Sequence, residues 1–174
     1  MIAEWGLQKK LRHLTTCLSE LKTTIDKYCN NKDGRVFACF VDFQKAFDTA
    51  IHTEIKIKLL ENDIGHHFYN IIKSMYSQSK SCVRLNNTLT DFFGNYVGVK
   101  QGDNLRTNLF KIFINDLPDY LMNTTDPIFI NKRSVHCLLY ADDVILLSST
   151  CTSQGPQNKL NKLNVYTLTI GVLI

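Results

Sequence analysis

Apolar residues in the first stretch of the chain fall on one helical stripe. Leu7, Leu11, Leu14, Leu18, Leu21, Ile25 and Tyr28 recur at spacings of four and three, which predicts an amphipathic helix. The same repeat satisfies a heptad, so a short coiled coil is the rival reading; no clear flanking charge code accompanies it, which favours a packed helix. Asn30 to Gly34 supplies a turn. The pattern then changes. Val36-Phe37-Ala38-Cys39-Phe40-Val41 is a continuous apolar run ending at Asp42, the mark of a central buried strand. A second such passage, Leu138 to Leu147, is split by Asp142-Asp143, which predicts a hairpin with two carboxylates at its tip.

Between these strands, helical patterns run over roughly 51–62 and 66–78, broken at Gly65. Residues 81–86 and 89–99 read as a hairpin around Asn86-Asn87. A turn at Gly98 to Gly102 leads into a helix from Asp103 or Asn104 to Leu117, stopped by Pro118. A polar loop precedes the acidic hairpin, a helix near 157–166 follows it, and the closing run from Tyr166 to Ile174 reads as a strand. The mixed order predicts an α+β fold, an antiparallel sheet with helices packed on one face.

Composition adds bounds. The 174 residues fit one domain with a sizeable core, and 44% hydrophobic with 21% charged residues argues for a folded chain. A net charge of +4 permits a nucleic-acid partner without requiring one. The six cysteines lie far apart, with no Cys-x-x-Cys pair, so they read as reduced core residues of an intracellular protein, nuclear or cytoplasmic. His66-His67 sits on a helical pattern where neighbouring side chains point about 100° apart, which disfavours a shared metal. No signal-peptide pattern is evident and the apolar tail is too short to span a bilayer, so no membrane partner is expected. Oligomeric state is not legible.

The acidic hairpin is where chemistry begins. An unpaired carboxylate walled in by Leu, Val and Ile costs several kcal/mol or becomes protonated. Either the turn reaches water or a divalent cation neutralises the pair. Asp42, a hundred residues earlier, arrives in a similar setting at the carboxyl end of a strand, where ligands tend to bind. If the two strands pair, three carboxylates converge. Hard oxygen ligands suit Mg²⁺, which takes its remaining ligands from water and substrate phosphates. Two such ions about 4 Å apart serve in-line phosphoryl displacement, so the constellation points to phosphoryl or nucleotidyl transfer.

Three segments carry a resemblance. Phe40-Val41-Asp42-Phe43-Gln44-Lys45-Ala46-Phe47-Asp48, Gly98-Val99-Lys100-Gln101-Gly102-Asp103 and Tyr140-Ala141-Asp142-Asp143 resemble, in order, the successive palm motifs of reverse transcriptases. The Lys-Ala-Phe-Asp form is most similar to LINE-type, non-LTR retrotransposon enzymes. The resemblance covers roughly residues 20 to 165. It implies a polymerase palm in which Asp42, Asp142 and Asp143 hold two Mg²⁺ ions with an incoming deoxynucleotide. It implies further that Phe47 lies under the incoming sugar, where it would exclude a ribose 2′-hydroxyl. By the same resemblance Gln101 and Gly102 pack on nucleotide and template, and Tyr140 sits near the primer end. An RNA template and a DNA primer are the implied partners.

Plainer readings stand beside these. A core aromatic is the commoner fate of a residue like Phe47, Asp48 reads as a helix N-cap rather than a ligand, and Gln101-Gly102 reads also as a plain turn. The basic set Lys73, Lys80, Arg84, Lys100 and Arg106, with Lys111, is either a solvated face or a phosphate-contacting one.

The chain also departs from the family pattern. Where the family has Ser-Pro after the Gln-Gly motif, this chain has Arg106-Thr107, with Asp103 as substitute cap. Nothing matches the family's triphosphate-holding fingers strands, primer grip or thumb. The expectation is therefore a truncated palm over 35–174, preceded by an N-terminal helical segment (partial fingers) over 1–34. Such a chain would polymerise weakly or not at all. The alternatives are a non-catalytic nucleic-acid-binding remnant and an interaction protein built on the Leu7 to Tyr28 helix.

Overall fold

The computed structural model describes residues 19, 22–23, 25–29, 35–99, 105–130, 132–151 and 155–174. It comprises two compact units, each contributed by two stretches of chain.

The first unit draws on residues up to Val41 and on Pro118–Leu163. Strands β1 (Phe37–Asp42), β8 (Cys137–Tyr140) and β9 (Asp143–Ser148) form a sheet in the order β1-β9-β8. β8 and β9 pair antiparallel, with Cys137 opposite Leu146 and Tyr140 opposite Asp143. The buried strand is thus β9, whose residues Val144 to Ser148 are all buried. β1 lies at the side of the three-strand set and leaves Phe40 68% exposed, so the central-strand expectation for it is corrected. Continuous apolar runs do not distinguish the middle of a sheet from its side.

A short hairpin of β6 (Ile128–Ile130) and β7 (Arg133–Val135) occupies the stretch expected to be a polar loop. Ile128, Ile145 and Leu147 form a core cluster. Ile25 and Tyr28 pack against it, and residues 25–29 are helical. The end of the predicted stripe therefore does what its spacing requires; Leu7 to Leu21 lie outside the described residues.

The second unit, Asp42–Leu117 with Asn164–Ile174, is mostly helical. It holds α1 (Ala46–Thr49), α2 (His52–Glu61), α3 (His66–Ser77) and α4 (Arg106–Phe113). α2 buries His52, Ile55 and Leu59, and α4 buries Leu109, Phe110 and Phe113, the spacings that put side chains on one face. Asn86-Asn87 does turn a hairpin, of β3 (Arg84–Leu85) with β4 (Thr88–Leu89), nested within the pair formed by β2 (Lys80–Ser81) and β5 (Phe93–Gly94). Asp116 closes the far end of this unit: it accepts from Lys58 Nζ at 2.8 Å and from Tyr166 Oη at 2.6 Å. Those two donors hold its carboxyl below the usual carboxylate range against the opposing effect of burial.

Two expectations about boundaries and one about the cysteines are corrected. Pro118 does not merely stop a helix: α4 ends at Phe113, and Pro118 lies in the first turn of α5 (Leu117–Leu121), where a missing N–H costs nothing. The closing run is not a strand but the continuation of α6 (Pro156–Ile170). Its apolar positions Leu163, Tyr166 and Ile170 are buried at helical spacing, and only Leu173 makes an antiparallel bridge, to Gln44. Of the five cysteines described, all are free, but Cys137 alone is buried, so the core reading holds only there.

Candidate functional site

The acidic hairpin turns one residue earlier than its letters suggest. Ala141 and Asp142 form the turn, and Asp143 opens β9 opposite Tyr140. Ala141 takes φ of 52°, the left-handed region that costs an L-residue with a Cβ on the order of 1–2 kcal/mol. Asp142 is half-buried and Asp143 exposed. Asp42, also exposed, ends β1, and β1 neighbours β9 in the sheet. The strand that ends in the first aspartate therefore lies beside the strand that opens with the third.

Among the described residues, no group of three or more His, Cys, Asp or Glu side chains stands close enough together to hold a metal ion. The donors the chain offers are carboxylate oxygens, which fit Mg²⁺; that ion is commonly held by one or two carboxylates with water and substrate phosphates completing its shell.

The second unit brings the first and second motifs together through backbone. Val99 N donates to Phe47 O at 2.7 Å and Gly98 N to Ala50 O at 2.8 Å. Gly98 sits at φ of +83°, and a Cβ there would meet the Asp48 carbonyl oxygen at 3.0 Å, so the close approach of these segments requires glycine. Lys100, Gln101, Gly102 and the Asp103 cap lie outside the described residues.

Phe47, half-buried, packs its ring on Phe110 with centroids 5.0 Å apart. The Arg106 guanidinium stands over the same ring at 4.2 Å from its centroid and reaches the Asp48 carboxylate at 3.8 Å. Arg106 is thus not part of a freely solvated basic face. It stacks on an aromatic shelf, as a planar guanidinium can and an ammonium cannot. Asp48 lies inside α1, whose N-cap position is Lys45, so its N-cap expectation is corrected. Tyr140 is half-buried beside the acidic turn, whereas Lys73, Lys80, Arg84 and Lys111 are exposed.

Sequence reasoning missed Lys159, which is fully buried and donates to Leu147 O at 2.5 Å and Asp126 O at 3.0 Å. A signal was available: Lys159 stands four residues before Leu163 on the buried face of α6. It also missed His52, buried with Nε2 2.8 Å from Gly98 O. That contact joins α2 to the glycine of the second motif and has no local signature.

Comparison with known proteins agrees with the motif reading. Residues 5–172 match the family model described as reverse transcriptase (RNA-dependent DNA polymerase). The chain is similar to a probable RNA-directed DNA polymerase from transposon BS of Drosophila melanogaster, 32% identical over 133 residues, covering 74% of this chain and 13% of that protein. It is also similar to a retrovirus-related Pol polyprotein from the type-1 retrotransposable element R2 of Nasonia vitripennis, 26% identical over 145 residues, covering 83% of this chain and 14% of that protein. The chain therefore spans about one seventh or less of the length of these two relatives. In fold it is similar to an apo telomerase from Candida tropicalis truncated from its C-terminal domain, with a TM-score of 0.58 at 18% identity, covering 91% of this chain and 33% of that one. The α+β palm-like fold, the ordered motifs and these matches together establish that the chain belongs to the reverse transcriptase (RNA-dependent DNA polymerase) family, in its LINE-type, non-LTR retrotransposon branch.

Proposed function

We propose that this chain is the palm of an enzyme performing RNA-templated, Mg²⁺-dependent DNA synthesis, in the nucleus or the cytoplasm. The single observation that carries the reading is the strand order β1-β9-β8, in which the strand that ends in Asp42 neighbours the strand that opens at Asp143. In this reading the three aspartates hold two Mg²⁺ ions. When bound, the ions offset the negative charge that develops on attacking and leaving oxygens during in-line displacement. Phe47, braced by Phe110 and Arg106, would underlie the incoming sugar and reject a ribose 2′-hydroxyl by contact. Gln101 and Gly102 would face nucleotide and template, and Tyr140 the primer end. Lys73, Lys80, Arg84, Lys100 and Lys111 would meet backbone phosphates of template and primer, with Arg106 contributing charge from the shelf. No described helix is long and apolar enough to cross a membrane.

Primer extension on an RNA template with Mg²⁺ and deoxynucleotides tests the proposal. Positioning supplies much of the rate in phosphoryl transfer, and this chain spans only 13–14% of those relatives' length. The product is therefore expected to be scant, and Asp142→Asn is expected to reduce it about 100-fold or more, as removal of a metal-holding carboxylate should. Extension indifferent to Asp142, or equal use of ribonucleotides, would count against the reading. Robust synthesis would overturn the expectation that the isolated chain is weak.

A further inference from the structure

We infer that the cleft between α2, the end of α3 and the β2–β5 hairpin seats one backbone phosphate of a single-stranded polynucleotide, with a base laid on Tyr96. The inference rests on the polymerase reading for its ligand class, and the site lies apart from the three aspartates in the assignment of residues.

The cleft encloses about 290 Å³, at the lower edge of the usual range for ligand sites. Lys56, Lys80, Thr53, Ser77, Ser79 and Asn95 are among the residues that line it, and no described lining residue is a carboxylate. Among the described residues, neither lysine has an acidic partner at ion-pair distance. Two ammonium groups facing one concavity focus positive potential there. Of the lining hydroxyls, Ser77 Oγ is committed to Ser74 O at 3.3 Å, whereas Ser79 Oγ is not. Asn95 Nδ2 donates to Ser79 Oγ at 3.4 Å, so that serine oxygen is already an acceptor and its proton is left to donate. The wall is thus biased toward donors, the chemistry that a phosphate requires.

The rim selects among phosphate sources. Tyr96, which lines the cleft, is 78% exposed, and Phe92 and Phe93 on the same hairpin are 66% and 51% exposed. Exposed rings beside a phosphate seat form the usual platform for single strands, where every base offers a π-face. A free phosphate would leave those rings without use. A neighbouring cavity of about 270 Å³ shares His52, Ser79 and Asn95 with the cleft and extends to Asp48 and Val99. A strand seated here would therefore continue toward the Phe47 shelf.

Fluorescence anisotropy of a labelled short oligouridylate with the full chain tests the inference. The Lys56→Gln/Lys80→Gln variant is expected to flatten the slope of log K against log salt by about 0.7, the loss of one single-strand phosphate contact. Tyr96→Ala is expected to weaken binding about 10-fold, one base's stacking. The Lys56→Arg/Lys80→Arg variant should bind as the parent does. Inorganic phosphate at matched ionic strength should compete no better than chloride; if it displaces the oligonucleotide, the cleft is a free-phosphate site and the assignment falls. Salt-dependent binding that none of these variants alters would place the strand elsewhere and overturn this inference alone. Absence of salt-dependent binding even at low salt would remove both the inference and the nucleic-acid reading beneath it.

Discussion

Phe110→Ala is expected to cost about 3–5 kcal/mol, the usual range for truncating a buried phenylalanine. Its ring is fully buried and touches Phe43, Phe47 and Phe113, with centroids 6.1, 5.0 and 5.9 Å away. Deletion would leave a cavity between two first-motif aromatics and Phe113 of the same helix, which cannot collapse without moving the backbone that carries the first motif. Domains are commonly stable by only about 5–15 kcal/mol, so the variant should be close to unfolding at ordinary temperature. Urea unfolding followed by circular dichroism checks this: the midpoint should fall steeply while the slope stays near the parent value. Phe47→Ala, at a half-buried ring, should cost clearly less. A loss below about 1 kcal/mol for Phe110→Ala would mean that the aromatic shelf is not packed as described.

Lys159→Met is expected to cost about 1–3 kcal/mol, because it strips a donor from two carbonyls of the first unit, Leu147 O and Asp126 O, the second of which keeps the Ser149 N–H at 3.1 Å. The size of the loss should depend on pH. Burial pushes the Lys159 ammonium down to about 8, while the unfolded side chain keeps its proton up to the ordinary lysine value of 10.5. Above about pH 8 the unfolded state therefore binds more protons than the folded one, and stability rises with pH. Cys137 acts in the opposite sense. Its buried thiol is pushed up to about 12 from 9.0, so above pH 9 the unfolded thiol ionises first and stability falls. The parent should thus gain stability from pH 8 to 9 and then level off. Lys159→Met should show no gain over that interval, and its deficit should be larger at pH 9 than at pH 7. Parallel pH profiles for parent and variant would contradict the burial of this ammonium.

Much of the fold was legible because its signals are local. The helices at 52–61 and 66–77, separated at Gly65, and the Asn86-Asn87 turn follow from periodicity and turn chemistry. What failed is what depends on neighbours. Whether Val36 to Val41 is flanked on both sides is a property of the sheet, not of the run. Whether Tyr166 to Ile170 continues a helix depends on α6 burying Leu163, Tyr166 and Ile170 on one face. Thr, Val and Ile there give a strand-like composition that packing overrides.

The site shows the same division. The motif letters singled out the aspartates, Phe47 and the Gly98 to Gly102 stretch as candidates. They did not reveal that Arg106, standing where the family has serine, stacks on Phe47 and pairs with Asp48, since that contact joins positions 58 residues apart (106 minus 48). Lys159 and His52 were invisible as partners for a related reason: both bond backbone carbonyls, which have no residue identity to read.

The central claim is that Asp42 and Asp142 serve one cation site, and Mn²⁺ titration into the isotope-labelled chain tests it without requiring polymerase activity. Bound Mn²⁺ should broaden the amide signals around Asp42 and around Ala141 to Asp143 at the same occupancy, and either Asp42→Asn or Asp142→Asn should abolish broadening at both places. Broadening confined to one segment, or surviving at the hairpin in Asp42→Asn, would show that the two strands do not share a metal.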